Sequence, residues 1–295
     1  MGVQVAELLH LLDLEPIEVN IFRGVSLDED RLRVFGGQVA AQALVAAGRT
    51  VATGRIHSLH SYFLRPGDPR SPILYEVDRI RDGRSFTTRR VVAIQHGEAI
   101  FNLQCSFHVD EEGLEHQDHA PTVPRPEDLE PPGRPGPDDG VTPSSYPEPY
   151  GLEVRFVTEL PWDRDGEPHD REQLWLRAGS SLGDDLLVHA AVCTFASDLT
   201  LVDSILQRHG VSPLHPAVAG ASLDHCMWFH RAFRADGWLL YDHRSPVAHG
   251  ARGLAQGAVY DAGGLHVASV VQEGLVRLRP GVPFDAPGTR PGEPR

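Results

Sequence analysis

The order of predicted elements repeats once along the chain, and this repetition limits the possible fold more than any other feature. In each half, a helix rich in Ala and Leu is followed by a series of strand-like segments. The two helical segments are FGGQVAAQALVAAGRTV and LLVHAAVCTFASDLTLVDSILQ, and the second is predicted to be one long helix. Asp82-Gly83 and His96-Gly97 predict tight hairpins between strands of the first half. The sequence therefore predicts two copies of one structural unit.

An acidic, proline-rich segment separates the two copies. Proline can neither donate to a strand ladder nor occupy a helix interior, so this segment is predicted to be a linker. The resulting organisation is an N-terminal repeat over residues 1–110, a linker over 111–148 and a C-terminal repeat over 149–295.

A helix lying along one curved antiparallel sheet, present twice, predicts an α+β fold. Two such sheets can join edge to edge around two central helices, which also covers exposed strand edges. This arrangement is the double hotdog. Short matches between the halves support a duplication: F35-G-G-Q-V with F195-A-S-D-L, and S61-Y-F-L-R with M227-W-F-H-R.

Three polar residues of the second half stand where the first half has a different side chain: Asp198 opposite Gln38, Ser222 near Ile56, and Gln272 near Gln104 or Cys105. Each also has an ordinary interpretation, as a helix cap, a strand-entry serine and an outward-facing strand residue respectively. Together, however, a carboxylate, a hydroxyl and an amide can hold and polarise one water molecule without a metal.

The net charge of −14 argues against a nucleic acid partner, because neutralising phosphates requires a basic face. A small phosphorylated ligand is still compatible with local arginines, and Arg84 and Arg89 in the segment RIRDGRSFTTRR are the candidates. The alternative is that these arginines pair with surface carboxylates.

Motifs for zinc-protease or nucleotide chemistry do not occur in the sequence, which has no HExxH and no Walker-type glycine loop. His57 and His60 are three residues apart on a predicted strand, which places them on opposite faces and favours a structural interpretation. Three widely spaced cysteines indicate neither disulfides nor zinc. We therefore expect no metal and no cofactor.

The chain resembles the acyl-CoA thioesterase II (TesB-type) family in several long motifs that occur in order: F35-G-G-Q-V-A-A-Q-A, H57-S-L-H-S-Y-F-L-R-P-G, R81-D-G-R-S-F-T-T-R-R-V, A196-S-D-L, L223-D-H-C-M-W-F-H-R and V271-Q-E-G-L-V-R. The resemblance implies a double hotdog that hydrolyses acyl-CoA to a fatty acid and CoA.

Carried over by motif, the resemblance also implies that Asp198, Ser222 and Gln272 are catalytic, with serine standing where family members often have threonine. His57 or His60 is a secondary candidate. A backbone N–H near Gly36 and Gly37 is a candidate for stabilising the oxyanion.

Two other functions stay open at this point: a hotdog enoyl-CoA hydratase or dehydratase, and a non-catalytic acyl-CoA-binding protein. We further expect a homodimer or higher homo-oligomer, no membrane span and a cytoplasmic location, since the C-terminal residues PGTRPGEPR lack a Ser-Lys-Leu address.

Overall fold

The computed structural model describes residues 5–26, 32–132, 150–161 and 168–284. The first half contains helices α1 (Val5–Leu12) and α2 (Gly36–Gly48) and strands β1 (Glu15–Glu18), β2 (Ile21–Gly24), β3 (Arg55–Phe63), β4 (Ile73–Asp82), β5 (Phe86–Gln95) and β6 (Glu98–His108). The second half contains helices α3 (Leu186–Ser197) and α4 (Asp203–Gln207) and strands β7 (Leu152–Phe156), β8 (Glu172–Ala178), β9 (Val218–Ser222), β10 (Asp224–Phe229), β11 (Leu239–His249), β12 (Arg252–Asp261) and β13 (His266–Leu278).

Within the described residues, the strands form one antiparallel sheet. Its order is β1-β2-β4-β5-β6-β3-β10-β13-β12-β11-β8-β7, and β9 also pairs with β13. The two halves meet where β3 pairs with β10, with His60 opposite Cys226 at the middle of the shared register. The edge-to-edge joining predicted for a double hotdog is confirmed.

The helices α2 and α3 lie side by side on one face of the sheet, which we call the inner face, and run in opposite directions. A Cβ atom added to Gly37 would lie 2.5 Å from the backbone oxygen of Phe195, and one added to Gly48 would lie 2.4 Å from the side chain of Leu187. Small residues permit this close contact, as the complete burial of Ala40 shows. The start of α2 therefore meets the end of α3.

The prediction of one long helix over residues 186–207 is wrong, because α3 ends at Ser197 and α4 begins at Asp203. The hydroxyl oxygen of Ser197 lies 2.9 Å from the carbonyl oxygen of Thr194, a local contact of the kind that competes with continuation of a helix. Asp198 is the C-terminal cap residue of α3. This interruption turns its side chain away from a helix surface and toward α2.

Strand structure is interrupted at Leu223, between β9 and β10. The carboxylate of Asp224 accepts the backbone N–H of Glu273 at 2.6 Å, which replaces a backbone bond of the ladder. Ser222 and His225 are three residues apart, yet both contact residues at the end of α3. A β-bulge has this effect, since its extra residue brings both side chains to one face.

The predicted hairpins are present, with differences in their turns. His96 and Gly97 have φ values of 51° and 78°, the positive values of a two-residue type I′ turn. At Asp82-Gly83 the turn is longer, because Asp82 pairs with Thr87 and the N–H of Gly83 bonds to the carbonyl of Phe86. The segment EPIEVNIFRGVS forms the two paired strands β1 and β2.

Part of the linker packs on the outer face of the second half of the sheet. The indole N–H of Trp175 donates to the carbonyl oxygen of Pro124 at 2.9 Å, and the amide of Gln117 bonds to Gly264 and His266. Residues 133–148 of the linker, and residue 149 at the start of the C-terminal repeat, lie outside the described residues. The boundaries of the two repeats stay a prediction.

Candidate active site

The carboxylate of Asp198 lies at the point where the end of α3, the start of α2 and the strands β9 and β13 come together. Its Oδ1 atom accepts a hydrogen bond from Gln272 Nε2 at 2.6 Å and one from Ser222 Oγ at 3.3 Å. The backbone N–H of Gly37 donates to the same carboxylate. The structure therefore brings together the three residues that the sequence predicted as catalytic.

Gly36 and Gly37 allow Asp198 to approach the first turn of α2. A Cβ atom on Gly36 would lie 2.7 Å from Asp198 Oδ2, closer than real Cβ contacts permit. The start of a helix carries unpaired N–H groups and the positive end of its dipole, so it favours a negative charge there. The paired glycines thus put an anion-stabilising helix terminus against the carboxylate.

Burial is the main influence on the acidity of this group, and it raises the pKa of Asp198. The neighbouring His225 and the hydrogen bonds from Gln272, Ser222 and Gly37 oppose it by stabilising the ionised form. A carboxylate whose pKa is raised is a better proton acceptor than an exposed one, while the three donors keep it oriented. These are the properties of a general base.

Ser222 and Gln272 are held by different parts of the sheet. Ser222 is the last residue of β9 and pairs with Gly274 of β13. Gln272 is fully buried on the inner face of β13. The position of Ser222 depends on the bulge between β9 and β10, because an uninterrupted strand would turn one of Ser222 and His225 to the outer face.

His225 belongs to this cluster, although it is not among the site residues that the sequence predicted. Its ring is fully buried on the inner face of β10, and Nε2 lies 2.9 Å from the hydroxyl of Ser197. Burial lowers the pKa of His225, against the opposing influences of Asp198 and Gln272. The available signal in the sequence was its spacing from Met227. Residues two apart on a strand face the same side, so an inward-facing Met227 implies an inward-facing His225.

Comparison with known proteins assigns the chain to a family. A family model described as acyl-CoA thioesterase matches residues 153–275, and a model described as the acyl-CoA thioesterase N-terminal domain matches residues 28–108. Human acyl-coenzyme A thioesterase 8 is 37% identical over 293 residues, covering 92% of this chain and 89% of the human protein. The chain belongs to the acyl-CoA thioesterase family.

Other family members agree in sequence and in structure. Acyl-CoA thioesterase 2 of Haemophilus influenzae is 38% identical and covers 92% of this chain and 97% of its own. The crystal structure of acyl-CoA thioesterase II TesB2 from Mycobacterium marinum superposes with a TM-score of 0.74 at 43% identity, covering 92% of this chain and 99% of the other. The acyl-CoA thioesterase fold extends across both halves.

The histidines His57 and His60 of this thioesterase family member do not approach Asp198. The register of β3 shifts between Ile56 and Ser58, and this irregularity changes the alternation of side chains. His57 packs against Phe86 at 5.6 Å between ring centroids, and His60 packs against Trp228 at 5.2 Å. Both rings therefore lie on the outer face rather than on opposite faces, with the sheet between them and Gln272.

Arg89 lies in the protein interior, where a phosphate group cannot reach its side chain. Its side chain is 1% exposed, and its Nε donates to Thr50 Oγ1 at 2.7 Å. Its other nitrogens donate to backbone oxygens of Thr50, Arg81 and Thr88 and to the carboxylate of Asp82. Arg84 differs, because it lies exposed in the hairpin turn and stays a candidate for contact with CoA phosphates.

Replacing Arg89 with Met is expected to lower the free energy of unfolding by about 2–4 kcal/mol, because several buried acceptors lose their donor. The KM for acyl-CoA should change little. Urea unfolding and steady-state kinetics provide the two measurements, with exposed Arg84→Met as the matched control for stability. A large rise in KM with unchanged stability would show instead that Arg89 binds substrate.

The comparison of halves located the strand positions correctly and the helix position incorrectly. His60 and Cys226 are equivalent positions of the two halves. His60 pairs with Gln104, and Cys226 pairs with Val271, so Gln104 is the counterpart of Val271. The next residue along each strand then makes Cys105 the counterpart of Gln272. Phe35, however, immediately precedes α2, whereas Phe195 lies near the end of α3. The counterpart of Asp198 is thus the end of α2 at Gly48, and the pairing of Asp198 with Gln38 is wrong.

The first half retains no carboxylate at the place corresponding to Asp198. Cys105, the counterpart of Gln272, is buried, and burial raises its pKa to about 12. Arg89 pairs with Cys105 across the strands, as Ala255 pairs with Gln272 in the second half. A bonded arginine therefore fills this region in the first half, so the two halves of the family member are chemically unequal.

None of the helices within the described residues is long and apolar enough to cross a membrane. The same residues contain no group of three or more His, Cys, Asp or Glu side chains placed to hold a metal ion.

Proposed function

We propose that this chain hydrolyses acyl-CoA thioesters to a free fatty acid and CoA. The observation that carries the proposal is the Asp198 carboxylate, which lies beside the start of α2 and accepts hydrogen bonds from Ser222 and Gln272. Membership of the acyl-CoA thioesterase family supplies the substrate class. The curated relatives named above act on the same class of thioester.

Water is the nucleophile in the proposed reaction. The oxygen of the water attacks the thioester carbonyl while Asp198 accepts a proton from that water. The resulting tetrahedral intermediate collapses with loss of the CoA thiolate. The proton on Asp198 then passes to the leaving sulfur, which restores the carboxylate. Ser222 and Gln272 fix the geometry of the carboxylate and of the water, so that attack occurs from one direction.

The negative charge of the intermediate develops near the start of α2, where the helix dipole is favourable. The N–H of Gly37 already donates to Asp198. Gly36, the first residue of α2, stays the candidate for the oxyanion donor.

Release of free CoA tests the proposal directly. The purified protein is mixed with acyl-CoA substrates of increasing chain length, and the free thiol is detected with a chromogenic thiol reagent. The expected result is catalytic release of CoA with at least one chain length. Saturable binding of acyl-CoA without thiol release would indicate a non-catalytic binding protein, and loss of the absorbance of an enoyl-CoA without thiol release would indicate a hydratase.

Replacing Ser222 with Ala is expected to reduce kcat by about 10- to 100-fold, because the hydroxyl that orients the carboxylate is lost. Ser222→Thr should retain activity within a few-fold, since threonine keeps the hydroxyl. Steady-state kinetics of both variants provide the measurement. Equal losses in the two variants would indicate that the site requires the volume of serine rather than its hydroxyl.

The pH dependence of kcat/KM is expected to show an acid limb above pH 3.8, the ordinary pKa of an aspartic acid. Because burial raises the pKa of Asp198, the carboxylate becomes protonated, and hence inactive as a base, at a higher pH than an exposed aspartate would. Activity should therefore fall as pH decreases through this raised value. Circular dichroism at each pH separates the titration from unfolding, and a limb at or below pH 3.8 in folded protein would contradict the assignment.

A cytoplasmic location and a homodimer or larger assembly are further proposals. Cell fractionation tests the first, and light scattering coupled to size-exclusion chromatography tests the second.

A further inference from the structure

His225 and Gln272 are neighbours across two paired strands on the inner face of the sheet. Strand β10 pairs with β13 through Cys226 opposite Val271, so the preceding and following residues, His225 and Gln272, stand opposite each other. Directly opposed residues of an antiparallel pair have Cβ atoms about 4.5–5.5 Å apart. Both side chains are fully buried, and their polar atoms therefore need partners within the protein.

Each of these side chains has one polar atom that is satisfied and one that is not. Gln272 Nε2 donates to Asp198 Oδ1, and His225 Nε2 lies 2.9 Å from Ser197 Oγ. Within the described residues, Gln272 Oε1 and His225 Nδ1 are both buried without a hydrogen-bond partner. An unpaired buried polar atom costs about 1–3 kcal/mol, so two such atoms on facing side chains indicate a shared bond.

We propose that His225 is a positioning residue, whose Nδ1–H donates to Gln272 Oε1 and thereby fixes the amide with its NH2 group toward Asp198. This role rests on the proposed function of Asp198 as the base. The amide oxygen can only accept, so the proton of the neutral ring must lie on Nδ1. Nε2 then accepts the hydroxyl proton of Ser197, which rotates toward the ring instead of toward the carbonyl oxygen of Thr194, also 2.9 Å away.

The resulting chain of hydrogen bonds runs in one direction. Ser197 donates to His225, His225 donates to Gln272, and Gln272 donates to Asp198. Bonds aligned in this way polarise one another, which strengthens the last donor to the carboxylate. Without the ring, the amide of Gln272 can rotate by 180° and turn its oxygen toward Asp198, where two acceptors repel.

The tautomer of His225 tests the proposal without any measurement of activity. In protein labelled with 15N at histidine, the ring nitrogen shifts of His225 are read at a pH above 6.5, the ordinary pKa of the ring. The His225 signals are assigned by their loss from the spectrum of His225→Asn. The expected result is protonated Nδ1 and unprotonated Nε2, and the reverse tautomer would overturn the proposal whether or not the protein hydrolyses acyl-CoA.

Two substitutions test the consequence for catalysis. His225→Leu removes the donor while keeping an apolar side chain of similar size, and it is expected to lower kcat by about 10- to 100-fold with little change in KM. His225→Asn places an amide N–H near the position of Nδ1 and should restore kcat to within a few-fold of the unsubstituted protein. Equal losses in both variants would indicate a packing role and would overturn the proposal.

A double-mutant cycle with Gln272→Ala completes the test. If His225 acts through Gln272, His225→Leu should have no further effect on kcat once the amide is absent. Additive losses would contradict the proposal. A protonated Nδ1 in a protein that releases no CoA would instead leave the pairing intact and refute the proposed function.

Discussion

Replacing Asp198 with Asn is expected to lower kcat for acyl-CoA hydrolysis by about 10³-fold or more, since the amide cannot accept a proton from water. The size of Asn is close to that of Asp, so the contacts with α2 and with the inner face of the sheet should survive. Thiol release with saturating acyl-CoA gives kcat, and circular dichroism with thermal unfolding checks the fold.

Asp185→Asn is the matched control, because it makes the same chemical change at the other end of α3. Asp185 is the N-terminal cap of that helix, and its carboxylate accepts the backbone N–H of Leu187. Asparagine is an equally good cap residue, so stability and activity should both be retained. Activity of Asp198→Asn within about ten-fold of the unsubstituted protein would refute Asp198 as the general base.

Replacing Gly37 with Ala is expected to lower the free energy of unfolding by about 1–3 kcal/mol, although alanine is the better helix former. The new Cβ would lie 2.5 Å from the backbone oxygen of Phe195, and a backbone atom within a helix cannot move alone. Helices α2 and α3 must therefore separate. Because the N–H of Gly37 also donates to Asp198, this separation should displace the carboxylate, and a shift of about 1 Å can cost about 10²-fold in kcat.

Gly220→Ala provides the control for this substitution. Gly220 lies in β9 two residues before Ser222, and a Cβ atom there would meet its nearest neighbour, the carbonyl oxygen of Leu275, at 3.7 Å, an ordinary contact. Chemical unfolding and steady-state kinetics of the two variants should therefore differ sharply. If Gly37→Ala and Gly220→Ala behave alike, the close approach of the two helices does not limit either stability or catalysis.

The predictions that succeeded rest on local patterns. His96-Gly97 forms its two-residue turn because both backbone positions require positive φ, which the residue types at the turn signal directly. The strands of both halves follow their alternating burial, and the duplicated order of elements predicted the joining of two sheets. The similarity of S61-Y-F-L-R to M227-W-F-H-R reflects the pairing of His60 with Cys226 at the junction.

The predictions that failed depend on contacts between distant segments. The helical pattern continues through Asp198, but the helix ends at Ser197, and the side chain of Asp198 contacts Gly37 of α2 and Gln272 of β13. In the sequence, nothing distinguishes Arg89 from the exposed arginines of the same segment. The hydrogen bond from Arg89 to Thr50 follows only from the packing of β5 against α2. The alignment of F35-G-G-Q with F195-A-S-D matched similar residues at non-equivalent positions. The first segment lies at the start of α2, and the second lies at the end of α3.

The sequence by itself determined the double-hotdog class and picked out the residues of the candidate site, because both are encoded in periodicity and in motifs of adjacent residues. The tertiary structure determined how those residues are arranged around one carboxylate. Asp198, Ser222, Gln272 and Gly37 lie on four different elements, and the bulge between β9 and β10 turns Ser222 and His225 to the same face. Such geometry arises from the packing of α2 against α3 and from strand register, neither of which is a property of any single segment.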